Sequence, residues 1–299
     1  MKIIGVGRLP RFSPNSEQRD AAILQAVAGV LRDRGNEVEL LEEDVCSLPS
    51  QCDGIFSMAR NEATLRFLCG IQDELHIPVL NNPAGVMMYT RSKLTLLMEQ
   101  LGIPAPLSVV LPFRESSTSN ICEINEYSKD VFLDAFMRRA VNFTYPLWVK
   151  RGDMCAQMGQ DVAYVETAEA LSAALRRLAG NGATSAVVST HIEGDLVKFY
   201  GVEGTDFFFT TYPVQTGCLS KFGLERFNSE LVGFPFSPEK LRADAERIAT
   251  ETGIMVYGGD CIVTADGECR IIDFNDWPSF APCRERAAIA IAEKLSGML

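Results

Sequence analysis

The chain has 299 residues, of which 47% are hydrophobic and 22% charged, so it has the composition of a globular protein with core enough for about two domains. Its net charge of −11 argues against nucleic acid or an anionic membrane as a partner, and no apolar stretch has transmembrane length. The nine cysteines form no Cys-x-x-Cys pair, which indicates reduced thiols in a cytoplasmic protein. The two histidines lie apart from any cysteine or carboxylate cluster in the sequence, so a zinc site is weakly indicated.

The first part of the chain alternates short apolar strands with amphipathic helices. The strands are predicted at residues 2–6, 37–41, 53–58 and 78–81, with helices at 16–34 and 62–75. This alternation predicts a small parallel sheet with helices on both faces. Since ligands bind at the carboxyl ends of strands in such sheets, Arg8 and Arg11, which follow the first strand, are candidates for holding an anionic substrate. Two solvated loop charges are the alternative.

Two lysines in the middle of the chain lie at the ends of predicted elements. Lys93 is in the first turn of a helix predicted at 91–101, where a cation opposes the helix dipole and can serve a phosphate instead. An ordinary exposed lysine is the alternative. Lys150 ends an apolar strand predicted at 146–150, and the loop that follows has two glycines and could close over phosphates.

The rest of the middle region leads to a third lysine and a long loop. A helix is predicted at 127–140 and a buried strand at 185–192. The turn Glu193-Gly194-Asp195 then precedes a return strand that carries Lys198. Residues 214–236, which include Lys221, have no clear period and are predicted to form a long functional loop.

A hairpin near the carboxyl terminus combines three oxygen donors. Two strand-like runs flank Asp266-Gly267, which is typical of a two-residue type I′ turn, and the resulting pairing places Asp260 directly opposite Asp273. Side chains alternate along a strand, so Asn275 shares the face of Asp273. Opposed carboxylates repel each other unless a cation lies between them, and hard oxygen ligands suit Mg²⁺. A solvated polar face on a surface hairpin is the alternative.

These pieces, taken in order, resemble an ATP-grasp enzyme over nearly the whole chain. The resemblance implies an α/β fold that becomes α+β in its C-terminal part. It implies a small parallel α/β domain at residues 1–83, a lysine helix and central lid domain at 84–187, and an antiparallel-sheet nucleotide and metal domain at 188–299. In such enzymes two lysines from different domains hold the nucleotide phosphates, and Lys93 and Lys150 match them.

The resemblance also assigns the remaining site residues. Backbone groups at the adenine edge come from the end of the buried strand, at Thr190, His191 and Ile192. The ribose hydroxyls fall to Glu193 or Asp195. One or two Mg²⁺ ions, for which Mn²⁺ can substitute, are held by Asp260, Asp273 and Asn275. We assign charge neutralisation during catalysis to Lys150, Lys198 and Arg284, with Lys198 also on the nucleotide, and substrate binding to Arg8, Arg11 and Lys221. Lys198 and Arg284 are further candidates for holding the anionic group of the substrate.

The leading functional hypothesis is an ATP- and Mg²⁺-dependent ligase. ATP phosphorylates a carboxylate of a small anionic substrate, and an amine then displaces phosphate from the acyl phosphate, which requires no protein nucleophile. The stretch from Asp273 to Phe280 also resembles the inositol tris/tetrakisphosphate kinases, so a kinase acting on a hydroxyl is the runner-up. A catalytically inactive ATP-binding module is the third possibility. The acceptor, the amine and the oligomeric state are left open by the sequence.

Overall fold

The computed structural model describes residues 1–48, 51–113, 143–154, 156, 158–217, 224–228 and 230–299. These residues form two compact units, one made of Met1–Tyr89 with Gly194–Leu299 and the other of Thr90–Glu193. The first and last of the three predicted domains are therefore grouped in one unit, and the boundaries at 83 and 187 stay a prediction. The helix predicted at 127–140 and Lys221 lie outside the described residues.

The structure defines the following elements. The strands are β1 (Lys2–Val6), β2 (Glu37–Leu41), β3 (Gly54–Ser57), β4 (Val79–Leu80), β5 (Ser108–Pro112), β6 (Leu147–Arg151), β7 (Val162–Val165), β8 (Ser185–Thr190), β9 (Asp195–Val202), β10 (Phe208–Thr211), β11 (Val256–Val263) and β12 (Cys269–Asp276). The α-helices are α1 (Glu17–Asp33), α2 (Glu62–Leu75), α3 (Pro83–Met88), α4 (Arg91–Gln100), α5 (Ala168–Gly180), α6 (Pro213–Thr216), α7 (Pro238–Thr252) and α8 (Arg284–Met298). Short 3₁₀ turns occur at Pro10–Phe12, Gly159–Asp161 and Leu224–Phe227.

The N-terminal sheet has the predicted parallel architecture. Its strand order is β2-β1-β3-β4, and every pair is parallel. Alternate side chains of β1 enter two different cores, because Ile3 packs in the cluster that contains α1 and Ile4 in the cluster that contains α2. Helices therefore cover both faces, and the carboxyl ends of β1 and β3 lie side by side at one edge.

The second sheet of the same unit is antiparallel and has the order β10-β9-β11-β12. Helix α7 follows Ser237, whose side chain accepts the backbone N–H of Lys240 at 3.2 Å, and Pro238 occupies the first turn. Helix α8 packs into the same buried cluster as α1. The loop predicted at 214–236 is not wholly irregular, because it contains the end of α6 and one 3₁₀ turn.

The second unit has an antiparallel sheet in the order β5-β8-β6-β7. Its core is the apolar face of α5, with Leu171 and Leu178, packed on Val149 and Val188 of the sheet. The Thr167 side chain caps the start of α5. Strand β5 and helix α3 were not predicted from the sequence. In the described part of the chain, no helix has the length and apolarity that a membrane crossing requires.

Candidate functional site

The hairpin of β11 and β12 has the predicted pairing of Asp260 with Asp273, although its turn differs from the prediction. The backbone N–H of Thr264 donates to the carbonyl of Glu268 at 3.0 Å, and Gly267 adopts a φ of 80°. The turn is thus one residue longer than a two-residue turn, with glycine at the left-handed position. The register then shifts beside Cys261, where β12 carries one extra residue as a β-bulge. The two differences cancel, and the opposed carboxylates result.

Polar side chains cross the antiparallel sheet at one level. Lys198 of β9 pairs with Asp260 of β11, which pairs with Asp273 of β12. The Lys198 Nζ lies 2.8 Å from Asp260 Oδ1, and the two side chains are 13% and 23% exposed. Asn275, two residues after Asp273, pairs with Gly258. One face of the sheet therefore presents a lysine, two carboxylates and an amide.

The glycine pair before Asp260 lets the strands approach closely at this point. A Cβ atom on Gly259 would lie 2.2 Å from the carbonyl oxygen of Asp273. A Cβ atom on Gly258 would lie 2.7 Å from Pro278 and 3.0 Å from the carbonyl oxygen of Phe199. Glycine at these positions is a condition for the cross-strand arrangement of the acidic residues.

The residues of this face fit Mg²⁺. Asp260, Asp273 and Asn275 supply hard oxygen donors, and Lys198, which contacts one of the two oxygens of Asp260, offsets part of their negative charge. Within the ranges that the structure describes, no group of three or more His, Cys, Asp or Glu could hold a metal ion. Such a small protein donor set suits Mg²⁺, which keeps waters and phosphate oxygens in its shell.

In the second unit, the segments that carry the two predicted phosphate lysines are joined by backbone hydrogen bonds. The N–H of Ser92, beside Lys93, donates to the carbonyl of Gly152 at 2.9 Å, and the N–H of Gly152 donates to Ser185 at 2.9 Å. Lys150 stands on β6, two residues before Gly152. A Cβ atom on Gly152 would lie 2.3 Å from Ser92 Oγ, so glycine permits this approach. The start of α4 and the end of β6 are thereby held together.

The predicted adenine edge lies at the end of β8. The backbone N–H of Thr190 donates to Leu107 at 3.0 Å, and that of His191 donates to Pro146 at 3.2 Å. These two donors are already engaged within the unit. Of the three residues assigned to adenine, Ile192 is therefore the one left as a backbone donor candidate, while the carbonyl groups of the others remain candidates as acceptors.

The His191 ring belongs to an aromatic cluster in the same unit. Trp148 Nε1 donates to His191 Nδ1 at 3.1 Å, and the Tyr164 ring meets the imidazole edge-on with centroids 5.4 Å apart. Burial lowers the pKa of His191, and the nearby Glu193 opposes this shift in part. The ring is therefore neutral near pH 7, with its proton assigned to Nε2 because Nδ1 accepts.

Comparison with known proteins identifies the fold. No protein-family model and no curated protein matches the sequence. VanG D-Ala:D-Ser ligase from Enterococcus faecalis aligns with a TM-score of 0.69 at 17% identity, over 99% of this chain and 98% of that one. A RimK domain protein ATP-grasp from Sphaerobacter thermophilus aligns with a TM-score of 0.66 at 17% identity, over 99% of this chain and 100% of that one. D-alanine–D-alanine ligase from Bacillus anthracis complexed with ATP aligns with a TM-score of 0.61 at 14% identity, over 100% of this chain and 96% of that one. This chain has the ATP-grasp fold.

Within the ATP-grasp fold, the structure separates the two ribose candidates. Asp195, the first residue of β9, is 1% exposed, and its carboxylate accepts backbone N–H groups from Val232 at 2.7 Å, Gly233 at 2.8 Å and Phe234 at 2.6 Å. Asp195 is thus an internal anchor for the segment before α7, and its carboxylate is occupied by these three backbone groups. Glu193 is exposed. The partners of Asp195 are 37 to 39 residues away, so no local pattern signals them.

The predicted anion-binding arginines have different surroundings. Arg8 is 4% exposed at its side chain and forms ion pairs with Asp276 at 3.0 Å and Asp20 at 3.4 Å, so its guanidinium is engaged by internal partners. Arg11 is exposed, with its guanidinium 4.9 Å from the Phe12 ring centroid. Arg284 begins α8, and its Nε is buried without a hydrogen-bond partner in the described structure.

Sequence reasoning missed Arg60. It follows β3 as Arg8 follows β1, and its Nε donates to Asp276 Oδ2 at 3.3 Å while its Nη2 also binds the Asp276 carboxylate. The rule that selected Arg8, a cation after the carboxyl end of a parallel strand, also selects Arg60. Asp276 lies within the stretch from Asp273 to Phe280 but was not predicted as a site residue, because its partners are far away in the sequence.

Proposed function

We propose that this chain is an ATP- and Mg²⁺-dependent ligase that activates a small-molecule carboxylate as an acyl phosphate for attack by an amine. The observation that carries the proposal is the row of Lys198, Asp260 and Asp273, with Asn275 beside it, on one face of a sheet in an ATP-grasp fold. Solved structures of similar fold include a D-Ala:D-Ser ligase and a D-alanine–D-alanine ligase complexed with ATP.

The sheet face that carries Lys198, Asp260, Asp273 and Asn275, which we call the metal face, serves metal binding and charge neutralisation. Asp260, Asp273 and Asn275 would hold Mg²⁺, and the bound ion would supply positive charge that neutralises the nucleotide phosphates. Lys198 keeps Asp260 oriented through its 2.8 Å contact and adds a positive charge near the same phosphates. The negative charge that develops on the transferred phosphoryl group is therefore met by fixed cations, and no side chain has to act as a nucleophile.

The nucleotide contacts of the second unit follow from its backbone arrangement. Lys93 and Lys150 bind the phosphates, and the hydrogen bond between Ser92 and Gly152 supports this role because it holds their segments together. The adenine edge uses the end of β8, with Ile192 as the backbone donor. The exposed carboxylate of Glu193 binds the ribose hydroxyls, since Asp195 is internally engaged.

The substrate is a small molecule with an anionic group. Arg284 supports this assignment because its buried Nε lacks a partner, and a carboxylate is the natural acceptor for a guanidinium. Arg11, which is exposed, and Lys221, which lies outside the described residues, complete the proposed set. A local cationic group is needed because the net charge of −11 repels an anion at long range.

The decisive experiment follows the γ-phosphoryl group of ATP. A panel of small carboxylates and amines is screened for stimulated ADP release, and the stimulating pair is then repeated with γ-³²P-labelled ATP. A ligase releases the label as inorganic phosphate when the amine attacks. Label retained in a stable organic product would instead support the kinase, which the Asp273-x-Asn275-x-Trp277-Pro278 pattern keeps as the second candidate. No stimulated ADP release with any pair would favour the inactive module.

A further inference from the structure

One carboxylate next to the metal residues is engaged on both of its oxygen atoms. Asp276 ends β12, directly after Asn275, and is 9% exposed. Its Oδ2 accepts from Arg8 Nη2 at 3.0 Å and from Arg60 Nε at 3.3 Å, while its Oδ1 accepts from Arg60 Nη2. Arg8 Nη2 also donates to the backbone carbonyl of Asp276 at 3.4 Å. Both guanidinium groups thus converge on the last residue of the metal-binding strand.

Both arginines also form hydrogen bonds to residues other than Asp276. Arg8 Nε donates to the carbonyl of Met58 at 3.0 Å, and its Nη1 lies 3.4 Å from Asp20. The Arg60 backbone N–H donates to the carboxylate of Glu43, which is 1% exposed and also accepts the backbone N–H of Leu9. The Arg8 guanidinium and the Arg60 backbone are therefore both held at the carboxyl ends of the parallel sheet, next to Asp276.

The next residue is fixed as well. The Trp277 backbone N–H donates to Val256 at 2.9 Å, and its indole is fully buried against Phe56 with ring centroids 6.1 Å apart. Trp277 has a φ of 36°, a backbone conformation that non-glycine residues rarely adopt and that persists where the surrounding structure fixes it. The strand end is therefore held by an ionic contact at Asp276 and an apolar contact at Trp277.

We propose that the Arg8–Asp276–Arg60 cluster is a positioning element for the metal site. It fixes the end of β12 so that the Asn275 amide and the Asp273 carboxylate keep their places opposite Asp260. The inference rests on the proposed function, since it takes Asp260, Asp273 and Asn275 as the Mg²⁺ ligands. Partners of metal ligands commonly change metal affinity by about 10- to 100-fold when altered. A bidentate guanidinium suits this task better than an ammonium, because its planar fork fixes direction as well as distance.

The test measures metal binding directly, without turnover. Free Mn²⁺ is followed by electron paramagnetic resonance in the presence of saturating adenylyl imidodiphosphate, a non-hydrolysable ATP analogue. Arg60→Lys keeps the charge but loses the fork, and we expect Mn²⁺ affinity to fall on the order of 10-fold. The matched control is Arg66→Lys, which alters an exposed ion pair with Glu62 on α2 and should leave the affinity unchanged.

A second variant keeps the inference testable if Arg60→Lys folds poorly. Arg8→Lys retains a cation near Asp20 and Asp276, and the same loss of Mn²⁺ affinity is expected in its folded fraction. A merely structural role would lower the melting temperature and leave Mn²⁺ affinity at the wild-type value, which would overturn the inference alone. A wild-type protein that binds no Mn²⁺ with the nucleotide analogue would overturn the metal assignment, and the inference with it.

Discussion

Two aspartates on neighbouring antiparallel strands differ in burial and in hydrogen bonding. Asp195 starts β9 opposite Val263, is 1% exposed and gives its carboxylate to three backbone N–H groups. Asp260 pairs with Lys198 only three residues further along β9, yet it stays partly exposed and meets a lysine on one oxygen. The same residue type serves as an internal anchor at one end of the sheet and as a proposed metal ligand near its middle. Hydrogen-bond saturation, more than residue identity, separates the two roles.

The largest expected effect is a loss of ATP turnover when a proposed metal ligand is changed. Asp273→Asn removes one carboxylate at constant size, and we expect ATP turnover to fall on the order of 10²-fold or more. The melting temperature should be unchanged or higher, because repulsion between opposed carboxylates is relieved. Mg²⁺-dependent ADP release and thermal unfolding measure the two quantities. The control is Asp266→Asn in the exposed turn of the same hairpin, and equal turnover in both variants would contradict the assignment.

The next effect falls on stability. Asp195→Asn leaves one acceptor oxygen for three backbone donors that now bind a buried carboxylate, and we expect the free energy of unfolding to drop by about 2 kcal/mol. Denaturant titration measures the loss. Asp206→Asn, at an exposed position in the turn after β9, is the control and should change stability by less than about 0.5 kcal/mol. A stable Asp195→Asn protein with impaired nucleotide binding would reverse the two roles that we assign.

A smaller effect concerns the nucleotide lysine of the second unit. Lys150→Met keeps the aliphatic stem and removes the charge, so ATP affinity should fall roughly 10-fold while the melting temperature without nucleotide stays the same. The stabilisation of the protein by ATP, followed by thermal shift, reports the change through linkage. Lys240→Met, on the exposed start of α7, should behave as the wild type. If ATP raised the melting temperature equally in all three proteins, Lys150 would be an ordinary charge at a strand end and not a phosphate ligand.

The smallest effect is a pH dependence at His191. Burial lowers the pKa of this imidazole, so the unfolded chain binds its proton more readily than the folded one. The stability that neutral His191 contributes is complete above the unfolded value near 6.5 and is lost as the pH falls below it. The stability difference between the wild type and His191→Gln, measured by denaturation from pH 8 to pH 5, should therefore shrink toward acid pH. A difference that grows toward acid pH would contradict the arrangement with Trp148.

The comparison also separates what a sequence can predict from what it cannot. The face of Asp260, Asp273 and Asn275 was predictable because Asp266-Gly267 marks a turn and strands alternate with a period of two. The register was nevertheless reached through two compensating differences, a longer turn and a bulge in β12 that no residue pattern indicates. The parallel sheet was predictable from alternating elements, and its architecture is confirmed.

Long-range contacts were beyond the reach of sequence patterns. The carboxylate of Asp276 meets Arg8 across 268 residues and Arg60 across 216, so only the folded chain reveals the cluster. Asp195 looked like a ribose ligand because it sits in an acidic turn, and its true partners come from a segment without periodicity. Polar residues that satisfy distant backbone groups leave no spacing signal, whereas residues that share a face within one hairpin do.

The central claim is that the metal face activates a carboxylate. Hydroxylamine tests it most directly, because it traps an acyl phosphate as a hydroxamate and leaves a phosphate ester untouched. With Mg²⁺, ATP and a stimulating carboxylate in the absence of an amine, the wild type should accumulate hydroxamate, and Asp273→Asn should do so on the order of 10²-fold more slowly. Substrate-stimulated ADP release without any hydroxamate would contradict the account.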